Sequence, residues 1–344
     1  MTESSAAAAP RRFVTRAGRT LSFTALGFGS APLGNYLRPL SEEACDRTLA
    51  AAWSGGMRYY DTAPFYGLGL SEMRIGRLLV PKARSDYIIS TKVGRVLDPC
   101  AKEEVNSVFF VDTPQVRFSY DYSYDGVMRS YEDSLRRLGL ERVDILFVHD
   151  ICAMAHGGRE GAEARIRELM ETGGWRALAE LREAGAVAAI GAGVNEWEPC
   201  VRLLELADPD LFLLAGRYTL LEQTPLDTLF PECERRGVGI VAGGPYNSGI
   251  LAGGNTYNYT DVPPAIAARA RDLDAVCRAH GVPLPRAALQ FVLANPRVVS
   301  VIPGGQNERE TAHNLALVGE AIPPALWADL KQRKLLHPQA PTPP

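Results

Sequence analysis

Apolar residues in this chain gather into eight short runs, each bounded by polar or turn-forming residues. The runs are Ala25–Gly29, Met57–Asp61, Tyr87–Lys92, Val143–His149, Val187–Gly191, Leu211–Ala215, Val238–Ala242 and Val298–Ile302. Most are followed by a stretch of helical period. Asp125–Leu138 sets Val127, Tyr131, Leu135 and Leu138 on one helical face, and Glu163–Ala184 reads as a long helix. Ser41 reads as a helix cap, with Ala44 where the Glu of a full capping box would stand. Strands that are apolar throughout and alternate with helices imply a parallel sheet buried on both faces. Eight such units in one chain predict an α/β fold of the closed (β/α)8 type, a TIM barrel. The competing doubly wound sheet predicts GxGxxG after an early strand. Here Gly27-Phe28-Gly29 runs into Pro32, Gly67-Leu68-Gly69 runs into Glu72, and no GxxxxGK[ST] occurs.

Three segments fall outside the repeat. Arg12–Phe23 predicts a hairpin around Ala17-Gly18, an N-terminal cap on the barrel. Residues 1–10 and the Pro-rich residues 337–344 are expected to be disordered tails flanking one barrel over 11–336. Val93–Tyr122 is too long for an ordinary connection and reads as irregular. Its Phe109, Phe110, Phe118, Tyr120 and Tyr122 suggest a loop covering a substrate, or an oligomer contact.

Composition narrows the class of protein. The 344 residues are 46% hydrophobic and 22% charged, with a net charge of −3. No nucleic-acid footprint is expected from such a balance. The six cysteines are scattered, without CxxC or zinc-like spacing. That pattern suits free thiols in a reducing compartment, and we expect no metal. No segment has the apolar length to span a bilayer and the N-terminus lacks a signal-peptide core. A soluble cytoplasmic protein without membrane partners is the expectation. Oligomeric state is not readable.

The candidate chemistry lies at the ends of successive strands. Asp61, Lys92 and His149 close the second, third and fourth runs, and Tyr66 stands in the loop after Asp61. Polar tips on neighbouring strands, all at one end, are how a parallel barrel assembles an active site. A free tyrosine, with pKa near ~10, is a poor acid or base at neutral pH. An ammonium beside it lowers that value. Lys92 is the candidate ammonium, Asp61 its counter-charge, and His149 would orient a substrate oxygen or relay a proton. Tyr66 then becomes a general acid for a carbonyl or a base for an alcohol. Taken singly, Tyr66 reads as a loop aromatic, His149 as a core histidine, and Lys92 with Asp61 as a structural ion pair. Their joint placement argues for chemistry, and such a set needs a hydride partner.

An anion site is readable as well. Gly243-Gly244-Pro245-Tyr246-Asn247-Ser248-Gly249 follows the seventh run and Ile302-Pro303-Gly304-Gly305 the eighth. Loops there are the usual phosphate site of this barrel, although glycines alone merely permit tight turns.

Together these residues resemble the aldo-keto reductase superfamily. The match runs in order from about Leu26 to Leu330, through Gly56-Met57-Arg58-Tyr59-Tyr60-Asp61-Thr62-Ala63, Tyr66-Gly67, Ser90-Thr91-Lys92, Ser134-Leu135-Arg136-Arg137-Leu138-Gly139-Leu140, Val143-Asp144, His149, Gly191 to Asn195, and Ile302-Pro303-Gly304 to Asn314. The resemblance implies a (β/α)8 barrel binding NAD(P)H, with Asp61, Tyr66, Lys92 and His149 as its catalytic tetrad. It implies Asn195 at the nicotinamide carboxamide and Asn314 at the adenine. Ala63 to Glu72, Tyr120 to Gly126, Val148-His149-Asp150, Leu214 to Leu221 and Gly244 to Gly249 are similar to the L-fucose or D-threo-aldose 1-dehydrogenase branch, to which pyridoxal 4-dehydrogenase is similar. That branch oxidises the C1 hydroxyl of a cyclic sugar to a lactone. Asn35, Tyr36, Asp150 and Trp197 are then expected to meet sugar hydroxyls. Two positions depart from the wider family: Gly243 replaces a nicotinamide-stacking aromatic, and Ala215 a Gln, with Tyr246 or Tyr218 as substitutes. Gly304, Gln306 and Glu310 stand where the family places cations for the phosphate of NADP, so NAD is the expected cofactor, with Arg309 nearby. Other readings stay open: pyridoxal oxidation, an NAD(P)H aldehyde or ketone reductase, or a nucleotide-sensing subunit without turnover.

Overall fold

The computed structural model describes residues 6–343. Eight parallel strands form one sheet in which every strand pairs with its neighbour in sequence. In barrel order they are Phe28–Gly29, Tyr59–Asp61, Ile88–Val93, Ile145–His149, Ala189–Val194, Leu211–Ala215, Gly239–Gly243 and Val298–Ile302. The first and eighth close the ring, Leu26 bridging Val301 and Gly29 bridging Gly304. Every expected strand is present within a few residues. Closure of eight strands, with helices on the outside, is the (β/α)8 barrel.

Two cores hold it. Ile89, Leu146, Ile190, Phe212 and Ile240 pack outward against the helices, while Tyr59, Phe147, Leu213 and Val241 fill the barrel. The N-terminal hairpin, Pro10–Val14 paired with Thr20–Thr24, closes the bottom. Phe23 is fully buried, meeting the Tyr59 ring edge-on at 5.0 Å. Burying such a ring stabilises by roughly 1.5–3 kcal/mol.

Four expectations are corrected. Glu163–Ala184 is two helices, Arg159–Glu171 and Gly174–Glu183. Gly173 adopts φ +85°, a backbone that ends the first helix before the second begins. Val93–Tyr122 is not irregular throughout, because Arg95–Pro99 and Val116–Tyr120 pair as an antiparallel ribbon. The expected tail over residues 1–10 is ordered where described: Ala6–Ala8 forms a 3-10 turn whose Ala7 is buried, and its carbonyl accepts from Leu26 N–H. Residues 1–5 lie outside the described part. The C-terminal tail docks as well, with Ala340 buried and His337 N–H donating to Gln223, while Pro344 lies outside. All six cysteines are free thiols. Among the described residues no helix is long and apolar enough to cross a membrane.

Candidate functional site

Asp61 and His149 end the second and fourth strands at the C-terminal mouth, and Lys92 is the penultimate residue of the third. Asp61 is 2% exposed, and its two oxygens are both engaged. Lys92 Nζ donates to Asp61 Oδ2 at 2.7 Å, and Ser90 Oγ donates to Asp61 Oδ1 at 2.7 Å. The same Nζ reaches Thr62 O and Tyr66 Oη, each at 3.0 Å. The His149 ring stands perpendicular to Tyr66 with centroids 5.8 Å apart. Four residues spread over 89 positions of sequence therefore meet at one point.

The loop that brings Tyr66 there is tied down from several sides. Ser30 Oγ donates to Asp61 O, Ser71 Oγ bonds Ser30, and Thr62 Oγ1 lies 3.0 Å from Ser71 Oγ. Gly34 and Gly67 pack backbone to backbone. A Cβ on Gly67 would lie 2.4 Å from Gly34 O, so any larger residue would lift Tyr66 away. Glu72, fully buried, accepts from Thr91 and Arg137 and pins the following helix to the third strand.

The charges reshape acidity. Burial pushes the Tyr66 phenol well above its ordinary range, Asp61 and Asp150 push the same way, and Arg95 opposes them. This corrects the expectation that Lys92 and Asp61 together depress it. At 2.7 Å the Asp61 carboxylate cancels most of the ammonium field that the phenol would otherwise feel. Burial also raises the Asp61 carboxyl, against the pull of Lys92 and Ser90. Burial, then Arg95 and Lys92, hold the His149 imidazole well below its usual range, so it is neutral at physiological pH.

Above these groups opens a cavity of about 400 Å³. Its walls are strongly aromatic, with Tyr36, Phe65, Phe109, Phe118, Tyr120 and Tyr259 among them. The segment joining the ribbon strands and the short hairpin Thr256–Asp261 meet over its mouth, where Phe109 and Tyr259 stack at 5.9 Å. The aromatic segment after the third strand thus does line the cavity.

Of the expected substrate residues, Tyr36 and Asp150 line this space and the other two do not. Asn35 Oδ1 accepts from Leu40 N–H and from Arg74, so it braces a loop. Trp197 precedes the helix Glu198–Leu206 without a side-chain capping bond and packs on the outer core. Sequence reasoning missed Arg95, which is 4% exposed and pairs with Asp150 at 2.9 Å. It also missed Tyr259, whose OH donates to Asn195 Oδ1 at 3.2 Å. A charged residue three places past Lys92 was the one available signal for Arg95.

The expected dinucleotide residues form two groups. Asn195 lines the cavity and donates to Asp150 Oδ1 at 3.0 Å. The loops Gly243–Gly249 and Ile302–Gly305 lie beyond the cavity lining, joined through Asn314 of the helix Glu308–Leu317, which accepts from Tyr246 OH at 2.8 Å and donates to Gly304 O at 3.5 Å. Gly244, Asn247, Ser248 and Gly249 all have positive φ, and the loop curls on itself, with the N–H groups of Asn247 and Gly249 donating to Gly244 O and Tyr246 O. Asn247 is 2% exposed, and its Oδ1 has no protein partner, an orphaned acceptor on the same loop. The orphaned acceptor calls for a donor, which the ribose hydroxyls or adenine amine of a dinucleotide would supply and its phosphates would not. Gly304 has a second duty, since it pairs with Gly29 and a Cβ there would lie 2.8 Å from Pro32. Tyr218 is no substitute stacking residue, being buried between Phe230 and Phe291. Glu310 caps its own helix, accepting from Gln306 N–H at 2.9 Å and from Asn307 Nδ2 at 2.7 Å. Gln306 Nε2 donates to Tyr36 O.

Comparison with known proteins agrees with this geometry. The chain is 40% identical to a pyridoxal 4-dehydrogenase from Microbacterium luteolum over 93% of its own length and 96% of the relative's. It is 38% identical to a D-threo-aldose 1-dehydrogenase from a Pseudomonas species, over 92% and 95% of the two chains. An aldo-keto reductase from Bacillus halodurans in its holo form, 24% identical, superposes with a TM-score of 0.70 over 95% of this chain and 96% of that one. Such a likeness speaks for the fold. Residues 25–333 match the model of the "Aldo/keto reductase family", whose members use NAD(P)H, and the chain belongs to that family.

Proposed function

We propose that this protein is a dehydrogenase that moves a hydride from C1 of a cyclic aldose, of the L-fucose or D-threo-aldose type, to NAD+ and releases a lactone. One observation carries the reading: Lys92 Nζ bridges Asp61 and Tyr66 at the floor of the cavity, with His149 beside the phenol. Asp61, Tyr66, Lys92 and His149 are the catalytic residues in this reading. The dinucleotide supplies the hydride acceptor. Asn195 holds its carboxamide end, the backbone of Gly243–Gly249 and Ile302–Gly305 its phosphates, and Gln306 and Asn314 its adenosine, while Glu310 stays with its own helix cap. Tyr66 takes the C1 hydroxyl proton, Lys92 holds the phenolic oxygen in place, and Asp61 anchors Lys92. His149 orients the C1 oxygen, and Tyr36 and Asp150 contact the ring hydroxyls. The relatives named for aldose and pyridoxal oxidation support the class of substrate.

Two observations favour a second substrate and a second direction. The aromatic walls suit a flat ring such as pyridoxal as well as the face of a sugar. The buried phenol, held protonated, is already in the acid form that reducing an aldehyde requires. A panel of aldoses, pyridoxal and simple aldehydes, run with NAD+ and with NADH, decides among them. Highest kcat/KM for an aldose with NAD+ is the expected result. Preference for pyridoxal moves the substrate, faster aldehyde reduction moves the direction, and absence of turnover in either direction would favour a nucleotide-binding subunit.

A further inference from the structure

The polar group that touches His149 from outside the barrel is Arg95, the first residue of the ribbon. Gly94, at φ +100°, turns the chain between the third strand and the ribbon, where a Cβ would collide with the Tyr122 ring. That turn folds the guanidinium back over the barrel mouth, with its Cζ 3.9 Å from the centre of the Phe65 ring. Nη1 lies 3.3 Å from His149 Nδ1, while Nη2 reaches Asp150 Oδ2 at 2.9 Å and Tyr120 Oη at 3.3 Å. A guanidinium has five donors and no acceptor. A hydrogen bond between Arg95 and His149 therefore requires a lone pair on Nδ1, and the single proton of the neutral imidazole must sit on Nε2. The opposite edge is compatible with this: Asp150 Oδ2, engaged by Arg95, lies 3.5 Å from Nε2, too far to hold its proton, which stays available to an oxygen beside Tyr66. Asp150 holds this place with φ +52°, a left-handed backbone uncommon outside glycine and typical of residues constrained at functional sites.

We propose that Arg95 is a positioning residue that locks His149 in the Nε2–H form, so that His149 only donates to the reacting oxygen beside Tyr66 and never relays a proton. The identity of that oxygen rests on the function proposed above; the lock itself does not. The groups facing the imidazole are Lys92 with Asp61 behind it from the barrel, Tyr66 from the second loop, Arg95 and Tyr120 from the ribbon, and Asp150 beside it. Tyr122 OH donates to His149 O and lies 3.2 Å from His156 Nε2. Arg95 also helps keep the ring neutral. A glutamine at this position differs in kind, since its amide oxygen accepts and would allow Nδ1–H. A lysine keeps the donor-only character but not the fork that spans Nδ1 and Asp150.

The test is 15N NMR of the full-length protein labelled at histidine, with His149 assigned by its loss in His149→Asn. The expected spectrum shows a bare Nδ1 and a protonated Nε2, unchanged as pH falls through the ordinary imidazole range near ~6.5. Arg95→Gln should move His149 to a mixture of tautomers, let it protonate within that range, and lower kcat at least about tenfold with a new acid limb. Arg95→Lys should keep the wild-type tautomer and recover part of the rate. An Nδ1–H form in the wild type, or an Arg95→Gln protein with the wild-type spectrum and pH profile, overturns the proposal. Should Arg95→Gln fail to fold, Arg95→Met, which also removes the donors facing Nδ1 and Asp150, takes its place with the same expected mixture of tautomers and the same overturning result. An inactive substrate panel would sink the proposed reaction and leave this readout standing.

Discussion

The two ends of the barrel are built from opposite materials. At the bottom, Leu21 and Phe23 of the hairpin cap meet Tyr59, Ile88 and Ile145 in a buried apolar plug. At the top, Asp61, Lys92, Arg95, His149 and Asp150 are all buried within one site. A single chain of hydrogen bonds joins the ends. Ser90 spends its only proton on Asp61, so Tyr59 OH must donate to Ser90 Oγ, 2.9 Å away. Stability is concentrated where nothing reacts, and the groups that are costly to bury sit where chemistry needs them.

Substitutions at the two ends should therefore separate activity from stability. The largest effect is expected for Tyr66→Phe, which keeps the ring and deletes the proton. Turnover should fall about a hundredfold to ten-thousandfold, with the unfolding midpoint unmoved and cofactor affinity within a few fold. Retained turnover would remove Tyr66 from the reaction. Lys92→Met should be as damaging to rate and should also cost about 3–5 kcal/mol, because Asp61 is left buried without its partner. At the other end, Phe23→Ala should cost about 3–5 kcal/mol in denaturant unfolding and leave kcat per folded molecule unchanged. A bottom substitution that lowers kcat as a top one does would break the contrast.

Acidity sharpens it further. With the phenol held above its ordinary range, oxidation should speed up with pH without levelling off below about 10. Aldehyde reduction should stay flat across neutrality. A plateau near neutral pH, with hydride transfer shown to be rate-limiting, would mean that the phenol is depressed instead. His149 also links the top to stability. Its folded-state pKa lies below the unfolded value, so the unfolded chain binds more protons between the two. This contribution is complete above about 6.5 and is lost as pH falls towards the folded value. Unfolding curves of wild type and His149→Gln at several pH values below that point should diverge in slope accordingly.

Much of this was legible in the sequence because it is local. Eight apolar runs and polar strand tips sufficed for the barrel and for the Asp61–Tyr66–Lys92–His149 group. What escaped depends on the chain folding back on itself. Arg95 acquires its meaning only when the ribbon turns at Gly94 onto His149. Asn35 looked like a sugar ligand, yet Arg74 and Leu40 claim it. The break at Gly173 was there to be read, and so was the capping pattern of Asn307 with Glu310 three residues on. Reading that cap would have turned Glu310 from the cofactor to its own helix end.

The smallest effect concerns the cofactor. Glu308 and Glu310 stand beside the helix start where a 2′-phosphate would need cations, and Arg309 is exposed there. We expect NAD to be preferred over NADP in kcat/KM, with Arg309→Ala changing little. An NADP preference abolished in Arg309→Ala would reverse the assignment.

The central claim, oxidation at the hemiacetal carbon with Tyr66 taking the proton, is tested most directly with an aldose deuterated at C1. The account predicts that the label appears in the reduced cofactor, that lactone is detected before open acid, and that both are lost in Tyr66→Phe. Unlabelled cofactor, or open acid as the first product, would contradict it.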